Sequence, residues 1–315
     1  MTFLPDYSVL DATLRDAGYL NNWNFSEEEI FKVVIGLGEV GVEAIEVGYL
    51  SDDTTRPLAA RCQASLLSEL RKVAKSSKLV AMISLSEKQP ENILTTRKDV
   101  LDLVRIPSTY EQIPQALDVA RKAKQLDIRC SLNVVNISAL SSSEMKEAIK
   151  IIAKAGVVDI LYLADSRGAS LPEETTSLIN LVRQEWKGIL GYHGHDNIGF
   201  AAINTSIALE AGCEMIDGTI KGFGLGGGNT KLCHALSLVE HKMNQNRYQY
   251  EALDSLRNSI FISMPAEHSY LYYLAGQKNL AQLWVVPLLE RFGKDTVPYL
   301  QSLPRKPYKF IEEVL

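Results

Sequence analysis

The chain has 315 residues, 46% hydrophobic and 23% charged, with a net charge of −5. This is the composition of a globular protein with a sizeable core, and its acidity gives no footprint for nucleic acid or an anionic membrane. The amino terminus lacks the pattern of a signal peptide, no apolar run approaches the ~20 residues that span a bilayer, and Cys62, Cys130, Cys213 and Cys233 are scattered with no Cys-X-X-Cys pair, so a soluble cytoplasmic protein is expected.

In chain order, short β-rich apolar runs alternate with amphipathic helical stretches. Ser8–Arg15, Val42–Gly48, Lys78–Leu85, Asp102–Ile106, Arg129–Ile137, Asp159–Ala164, Ile189–His193 and Glu214–Ile220 read as eight strands. Helical patterns lie between them at Ser26–Val40, Arg56–Ser76, Tyr110–Leu126, Ser142–Ala155, Pro172–Trp186 and Ile198–Ala211. Ser26 and Ser142 precede glutamates and Pro172 precedes Glu173 and Glu174, which puts a capping hydroxyl or N1 proline ahead of acids that suit a positive helix end. Gly41, Gly156 and Gly212 close three of the helices. Strand–helix alternation forces parallel pairing through crossovers. Eight such units predict an α/β fold, a closed (β/α)8 TIM barrel. An open nucleotide-binding sheet fits less well, because no Gly-X-Gly-X-X-Gly follows the first strand. After Met243 the pattern changes to helices rich in tyrosine, including Tyr270-Leu271-Tyr272-Tyr273. The division expected is a catalytic barrel over residues 1–243 and a C-terminal helical extension over 244–315, packed on the barrel or on another subunit, with the aromatic cluster in its core.

Catalytic groups of such a barrel lie at the carboxyl ends of the strands. That rule selects Arg15 and Asp16, Glu46, Arg105, Asn133 with Asn136, Asp165 and Ser166, and His193 with His195. Any one of these charges suits a rim salt bridge; together they read as a site, because uncompensated buried charge is costly. His193 and His195 are two of five histidines, and at i and i+2 of a strand they leave the same face. An isolated His-X-His is as readily a pair of bystanders. Barrel closure, however, sets the first strand beside the eighth and within reach of the seventh, so Asp16 can complete a set of two imidazoles and one carboxylate. Such a set holds a divalent metal ion (Mn2+, Co2+, Mg2+ or Zn2+) with positions open for a chelating substrate. Non-haem Fe(II) oxygenases use the same trio, but on a β-sandwich and in the order His-X-Asp…His. The glycine-rich run Lys221–Asn229 reads as a mobile loop closing on a ligand or as a phosphate cradle at a helix N-terminus.

These residues coincide with the motifs of a family. Asp11-Ala12-Thr13-Leu14-Arg15-Asp16 resembles the Asp-X-Thr-Leu-Arg-Asp signature of the DRE-TIM metallolyases, His193-Gly194-His195-Asp196-Asn197 resembles their His-X-His-Asn/Asp motif, and Gly224-Leu225-Gly226-Gly227-Gly228-Asn229 is similar to their Gly-X-Gly-X-Gly-Asn loop. The resemblance covers about residues 8–240. It implies a metal held by Asp16, His193 and His195 with Asn229 as a further ligand, and an Arg15 that stabilises enolate charge. Glu46 joins Arg15 among the candidate catalytic residues, and Arg105, Asn133, Asp165, Ser166, Gly226 and Gly227 are the candidate substrate contacts.

Within the superfamily the tail, with Ala266-Glu267-His268-Ser269-Tyr270-Leu271, resembles the 4-hydroxy-2-oxovalerate aldolase (HMGL-like) branch. Aldolases of that branch carry a histidine three residues after the motif aspartate, where this chain has Tyr19. A phenol, with an ordinary pKa of ~10, is a poor base but a competent acid; His268 is the candidate base. The condensing synthases carry a Gly-X-Gln after the motif and a long regulatory domain, and the lyase branch a cysteine in its glycine loop; this chain has none of these. The expected activity is therefore a metal-dependent aldolase that cleaves or forms a 4-hydroxy-2-oxo acid through a pyruvate-type enolate and an aldehyde. The alternatives are an acyl-CoA condensing or cleaving enzyme and a ligand-binding barrel without turnover. A homo-oligomer is expected, and the resemblance allows an aldehyde dehydrogenase partner.

Overall fold

Short apolar strands leave rows of unpaired backbone groups, and closing a parallel sheet on itself removes every edge. The computed structural model, which describes residues 4–260, 262 and 269–315, takes that route. Its strands β1 (Ser8–Asp11), β2 (Ala44–Leu50), β3 (Lys78–Ile83), β4 (Leu103–Ser108), β5 (Arg129–Val134), β6 (Ile160–Asp165), β7 (Ile189–Gly194) and β8 (Met215–Gly218) form one closed barrel. Each pairs in parallel with the next, and β8 returns to β1 with Leu10 opposite Asp217.

Alternation along the strands sorts residues by height inside the barrel. Leu10, Ala44, Val80, Leu103, Ile160 and Met215 make an apolar plug. Two residues further along their strands stand Ala12, Glu46, Met82, Arg105, Tyr162 and Asp217, so the interior turns polar toward the carboxyl ends. The opposite strand faces pack Val9, Ile45, Leu79, Val104, Leu132, Leu161, Leu190 and Ile216 against the helices in the main core.

Local differences from the expected elements have identifiable causes. The first strand stops at Asp11, whose carboxylate accepts the Thr13 N–H (2.9 Å) and hydroxyl (2.8 Å) and turns the chain into the helical segment Thr13–Asp16. The long Arg56–Ser76 helix is instead a 3-10 turn, Leu58–Ala60, and a helix, Ala64–Val73, separated by Cys62 at φ 22°. A six-residue helix, Pro90–Thr95, is too short to have carried a periodic signal. Ser141, not Ser142, caps the Ser142–Ala155 helix in a capping box with Glu144.

Beyond the barrel, Tyr250–Ser259 packs on the Glu27–Val40 helix. Helices Ser269–Lys278, Val285–Phe292 and Thr296–Ser302 gather a separate apolar cluster that includes Leu274, Leu280, Leu288, Leu300 and Tyr308. In the tyrosine run only Leu271 is buried there; Tyr270 and Tyr273 are exposed and stacked on each other, a correction to the all-core reading. The segment Ala281–Trp284 lies across the carboxyl ends of the strands and walls the mouth of the barrel. Among the described residues no helix is long and apolar enough to cross a membrane.

Candidate metal centre and active-site cavity

A cavity of about 420 Å³ opens at the carboxyl ends of the strands. At its floor His193 and His195 converge as i and i+2 geometry requires, with their Nε2 atoms 3.3 Å apart. Asp16 Oδ2, delivered by the helical turn after β1, lies 4.0 Å from His195 Nε2. One ligand atom from each of Asp16, His193 and His195 lies within 4.8 Å of the others, and all three residues are buried. Among the described residues no second set of this kind exists.

The surroundings fit a cation. His193 Nδ1 is 2.8 Å from Asp217 Oδ2, an acceptor that fixes the tautomer with the proton on Nδ1 and leaves Nε2 as donor to a metal. Burial, outweighing the neighbouring Asp16, pushes His195 down to about 4 and keeps its imidazole neutral. Burial opposes ionisation of Asp16, but Arg15, the two imidazoles and the Asn229 amide hold its carboxyl well below the ordinary range. Asn229 Nδ2 donates to Asp16 and to the Phe223 carbonyl (3.0 Å), while its Oδ1 is buried without a partner, as is His195 Nδ1. An aspartate beside two imidazoles is a donor set suited to a divalent ion, and the Asn229 amide faces it through its nitrogen, which donates to Asp16.

Arg15 projects beside this set. Its Nε donates to Glu46 Oε2 (2.8 Å) and its Nη1 to Asp16, and the Trp23 indole donates to its carbonyl (2.8 Å). Glu46 sits behind the guanidinium, fully buried, and also accepts from Arg105 Nη1 (3.0 Å). Arg105 reaches across the barrel to Asp217 (2.7 Å) and lies over the Tyr162 ring, 4.3 Å from its centre. With the Asn133 amide oxygen turned toward it, Arg105 donates two further bonds of 2.7 and 2.9 Å. Arg105, expected as a substrate contact, lines the cavity and also ties Glu46 to Asp217. Tyr19 stands at the mouth, 37% exposed, with its hydroxyl 3.2 Å from that of Tyr49.

The remaining expected residues divide. Ser166 and Asn133 line the cavity. Asp165 does not: its carboxylate turns back to accept the N–H groups of Ala169 (3.2 Å) and Ser170 (3.1 Å), and burial raises it to about 6. Gly226 and Gly227 also lie off the cavity, where Leu225 takes the lining position. At φ +69°, Gly226 approaches Gln282 and Asn197 so closely that a Cβ would overlap both, and the Gly227 N–H donates to Asn197 Oδ1 (2.7 Å). The glycine run packs against Asn197 and Gln282 and presents Leu225 to the cavity. It is pinned to the His-Gly-His segment by Asp196 N–H to Gly228 (2.9 Å) and Thr230 N–H to Gly194 (3.0 Å). His268 lies outside the described residues.

Sequence reasoning missed Asp217, an acid inside the apolar run Met215-Ile216-Asp217-Gly218, and the pattern of that strand was the available signal. It quoted Asp11 without a role; Asp11 sets Thr13, whose hydroxyl in turn accepts the Ile220 N–H (2.8 Å) and locks β1 to the end of β8. Arg167 in the cavity wall carried no sequence signal.

Fold and site together define a (β/α)8 barrel with a carboxylate–imidazole set that could hold a metal ion at the carboxyl ends of its strands. The HMGL-like family matches residues 7–260, and the chain belongs to that family. It is similar to a 4-hydroxy-2-oxovalerate aldolase of Pelotomaculum thermopropionicum, 28% identical over 97% of this chain and 93% of that one. It is also similar to an oxaloacetate decarboxylase of Mycobacterium tuberculosis, 27% identical over 71% of this chain and 67% of that one. Among solved structures, the N-terminal domain of a Bacteroides vulgatus protein provisionally named an aldolase superposes with a TM-score of 0.79 at 25% identity, covering 92% of this chain and 99% of that one.

Proposed function

We propose that this protein is a metal-dependent carbon–carbon lyase that interconverts a 4-hydroxy-2-oxo acid with pyruvate and an aldehyde. The observation that carries the reading is the Asp16, His193 and His195 set, with ligand atoms within 4.8 Å of one another, directly beside the Arg15 guanidinium. A divalent cation held there supplies Lewis-acid polarisation of the ketone and carboxylate of a 2-oxo acid. Mixed nitrogen and oxygen donors suit Mn2+, Co2+, Mg2+ or Zn2+, and Mn2+ is the ion used in the tests below.

The chain's own residues do the rest. In cleavage the 4-hydroxyl gives its proton to a base, the role proposed for His268, the C3–C4 bond breaks as the aldehyde departs, and its electron pair becomes the enolate of pyruvate, which takes a proton at C3 from solvent. Arg15, fixed by Glu46 and Asp16, presents its charge to the enolate oxygen. In condensation the same pair attacks the aldehyde carbon, and the new alkoxide takes a proton. Tyr19, hydrogen-bonded to Tyr49 at the mouth, is the acid we assign to that step.

The tail supports a homo-oligomer, because Tyr270, Tyr273 and Leu283 are exposed on it. The separate apolar cluster of residues 271–314 supports a C-terminal helical extension, while Tyr248, Leu253, Leu256 and Ile262, beyond the expected 243/244 division, pack in the barrel's core. Four free cysteines support a reducing, cytoplasmic setting. An aldehyde dehydrogenase that consumes the aldehyde is a partner proposed from the resemblance alone.

The test is to incubate Mn2+-loaded protein with pyruvate and a panel of aldehydes, with oxaloacetate alone, and with acetyl-CoA plus a 2-oxo acid. Aldehyde-dependent pyruvate consumption supports the reading. Decarboxylation of oxaloacetate without any aldol product, or release of free CoA, overturns it.

A further inference from the structure

Four cations line the cavity, and three of them are paired with carboxylates: Arg15 with Asp16 and Glu46, Arg105 with Glu46 and Asp217, and Lys309 with Glu144. The fourth is Arg167, two residues beyond β6. It is 3% exposed, and among the described residues no carboxylate makes an ion pair with it. Its partners are neutral: Nε donates weakly to Asn136 Oδ1 (3.4 Å), Nη1 to the Asn279 carbonyl, and Nη2 to the Tyr308 carbonyl (2.7 Å). Three of its five N–H donors are so engaged, which leaves two. Trp284 lies beneath, 5.6 Å from the guanidinium carbon. A buried guanidinium is costly without a counter-charge, and carbonyl dipoles supply only part of one. Burial brings it down to about 10, so it is charged at neutral pH.

Arg167 also sits at a distinct place in the cavity. The metal set and Arg15 come from β1 and β7, whereas Arg167 follows β6 and meets Asn136 from the loop after β5. A substrate whose 2-oxo acid end engages Asp16 and the imidazoles carries its other end past Ser166 toward this wall. A cavity of about 420 Å³ takes a ligand longer than pyruvate joined to a two-carbon aldehyde. A planar guanidinium matches a carboxylate through paired N–H donors. Asp165 and Glu313 act on Arg167 without an ion pair to it, and a single positive charge so placed suits a carboxylate better than a phosphate dianion, because the charge of Lys309 is already spent on Glu144.

We propose that Arg167 binds a carboxylate on the far end of the aldehyde, so that the substrate is the aldol of pyruvate with an oxo acid bearing a terminal carboxylate. This rests on the aldolase reading above. It differs from a role in which Arg167 only clamps the C-terminal segment through the Asn279 and Tyr308 carbonyls.

The experiment uses two four-carbon aldehydes, succinic semialdehyde and butanal, each with pyruvate and the Mn2+-loaded full chain. Deuterium exchange of the pyruvate methyl group is recorded in parallel. The wild type is expected to favour succinic semialdehyde over butanal in kcat/KM by about tenfold or more, as loss of a charge-assisted pair dictates. In Arg167→Met that ratio falls to near one, and Arg167→Lys restores part of it. A wild-type ratio near one overturns the proposal, and needs no variant to fold. So does an Arg167→Met enzyme in which both aldehydes slow equally and the ratio stands, the signature of a clamp. Exchange without use of either aldehyde overturns the carboxylate proposal while the enolate chemistry survives. Absence of exchange removes the aldolase reading and this proposal with it.

Discussion

His193 Nδ1 lies 2.8 Å from Asp217 Oδ2, and this contact orients the imidazole that closes the metal set. Asp217 is itself held by Arg105 (2.7 Å), so the metal centre is braced by an ion pair that crosses the barrel. An acceptor of this kind fixes ring orientation and raises ligand basicity, and its removal typically weakens metal binding by about 10–100-fold. Asp217→Asn is expected to weaken Mn2+ binding by that factor, measured by titrating metal-free protein calorimetrically. It also leaves Glu46 as the one carboxylate paired with Arg105, so its melting temperature falls. Unchanged Mn2+ affinity would sink the assignment.

Gly224 offers a test by shape. A Cβ there would sit 2.7 Å from Asp16 Oδ2 and still closer to the Asn229 amide, displacing two of the groups assigned to the metal. Gly224→Ala should fold, with a wild-type circular dichroism spectrum, and lose tight Mn2+ binding and with it at least about 100-fold in turnover. Wild-type metal affinity in this variant would show that Asp16 and Asn229 are not ligands.

The assignment of Tyr19 separates two proton transfers. Its hydroxyl stands at the mouth beside Tyr49, and the proposed mechanism uses it on the aldehyde oxygen, not on the pyruvate methyl group. Tyr19→Phe should lower aldol turnover by about 100-fold or more and spare pyruvate proton exchange. Equal loss of both activities would take Tyr19 out of the proton-transfer step.

The C-terminal segment is tied to the barrel by Lys309 and Glu144. The bond from Lys309, with those from Ser141, brings the Glu144 carboxyl down to about 2 from its ordinary 4.5. A folded-state value below the unfolded one contributes stability at pH above about 4.5, and the contribution drains away as pH falls toward about 2. The pair is partly exposed and contributes less than about 1 kcal/mol. Glu144→Gln should therefore melt about 1–3 °C lower than wild type at pH 6, with the gap narrowing between pH 4.5 and 3. A gap that stays constant across that range would contradict the assignment.

Much of the barrel was legible because its signals are local. Strand runs recur eight times with helix stripes between most of them, and the i, i+2 spacing of His193 and His195 announces convergence before any fold is known. Asp16 followed from closure of the barrel, which sets β1 between β2 and β8. Asp165 and Asp217 were less legible for one physical reason: both stand at or near the ends of their strands, and sequence does not say which way each turns. Asp165 spends its carboxylate on the backbone of its own loop, whereas Asp217 reaches His193 through a register set by β7 and β8. Arg167 owes its place to carbonyls more than a hundred residues away, at Asn279 and Tyr308. The glycine run was legible as special, but its role as packing against Asn197 and Gln282 depends on the tail.

The central claim is that the Asp16, His193 and His195 set, with Arg15 beside it, generates a pyruvate enolate. Deuterium uptake into the pyruvate methyl group, followed by proton NMR in D2O, measures this without knowledge of the aldehyde. The account predicts loss of the methyl signal with Mn2+-loaded wild type, no loss above the buffer rate after chelation, and none with Asp16→Asn. Absence of exchange in the metal-loaded wild type, or exchange that persists through chelation and in Asp16→Asn, would contradict it.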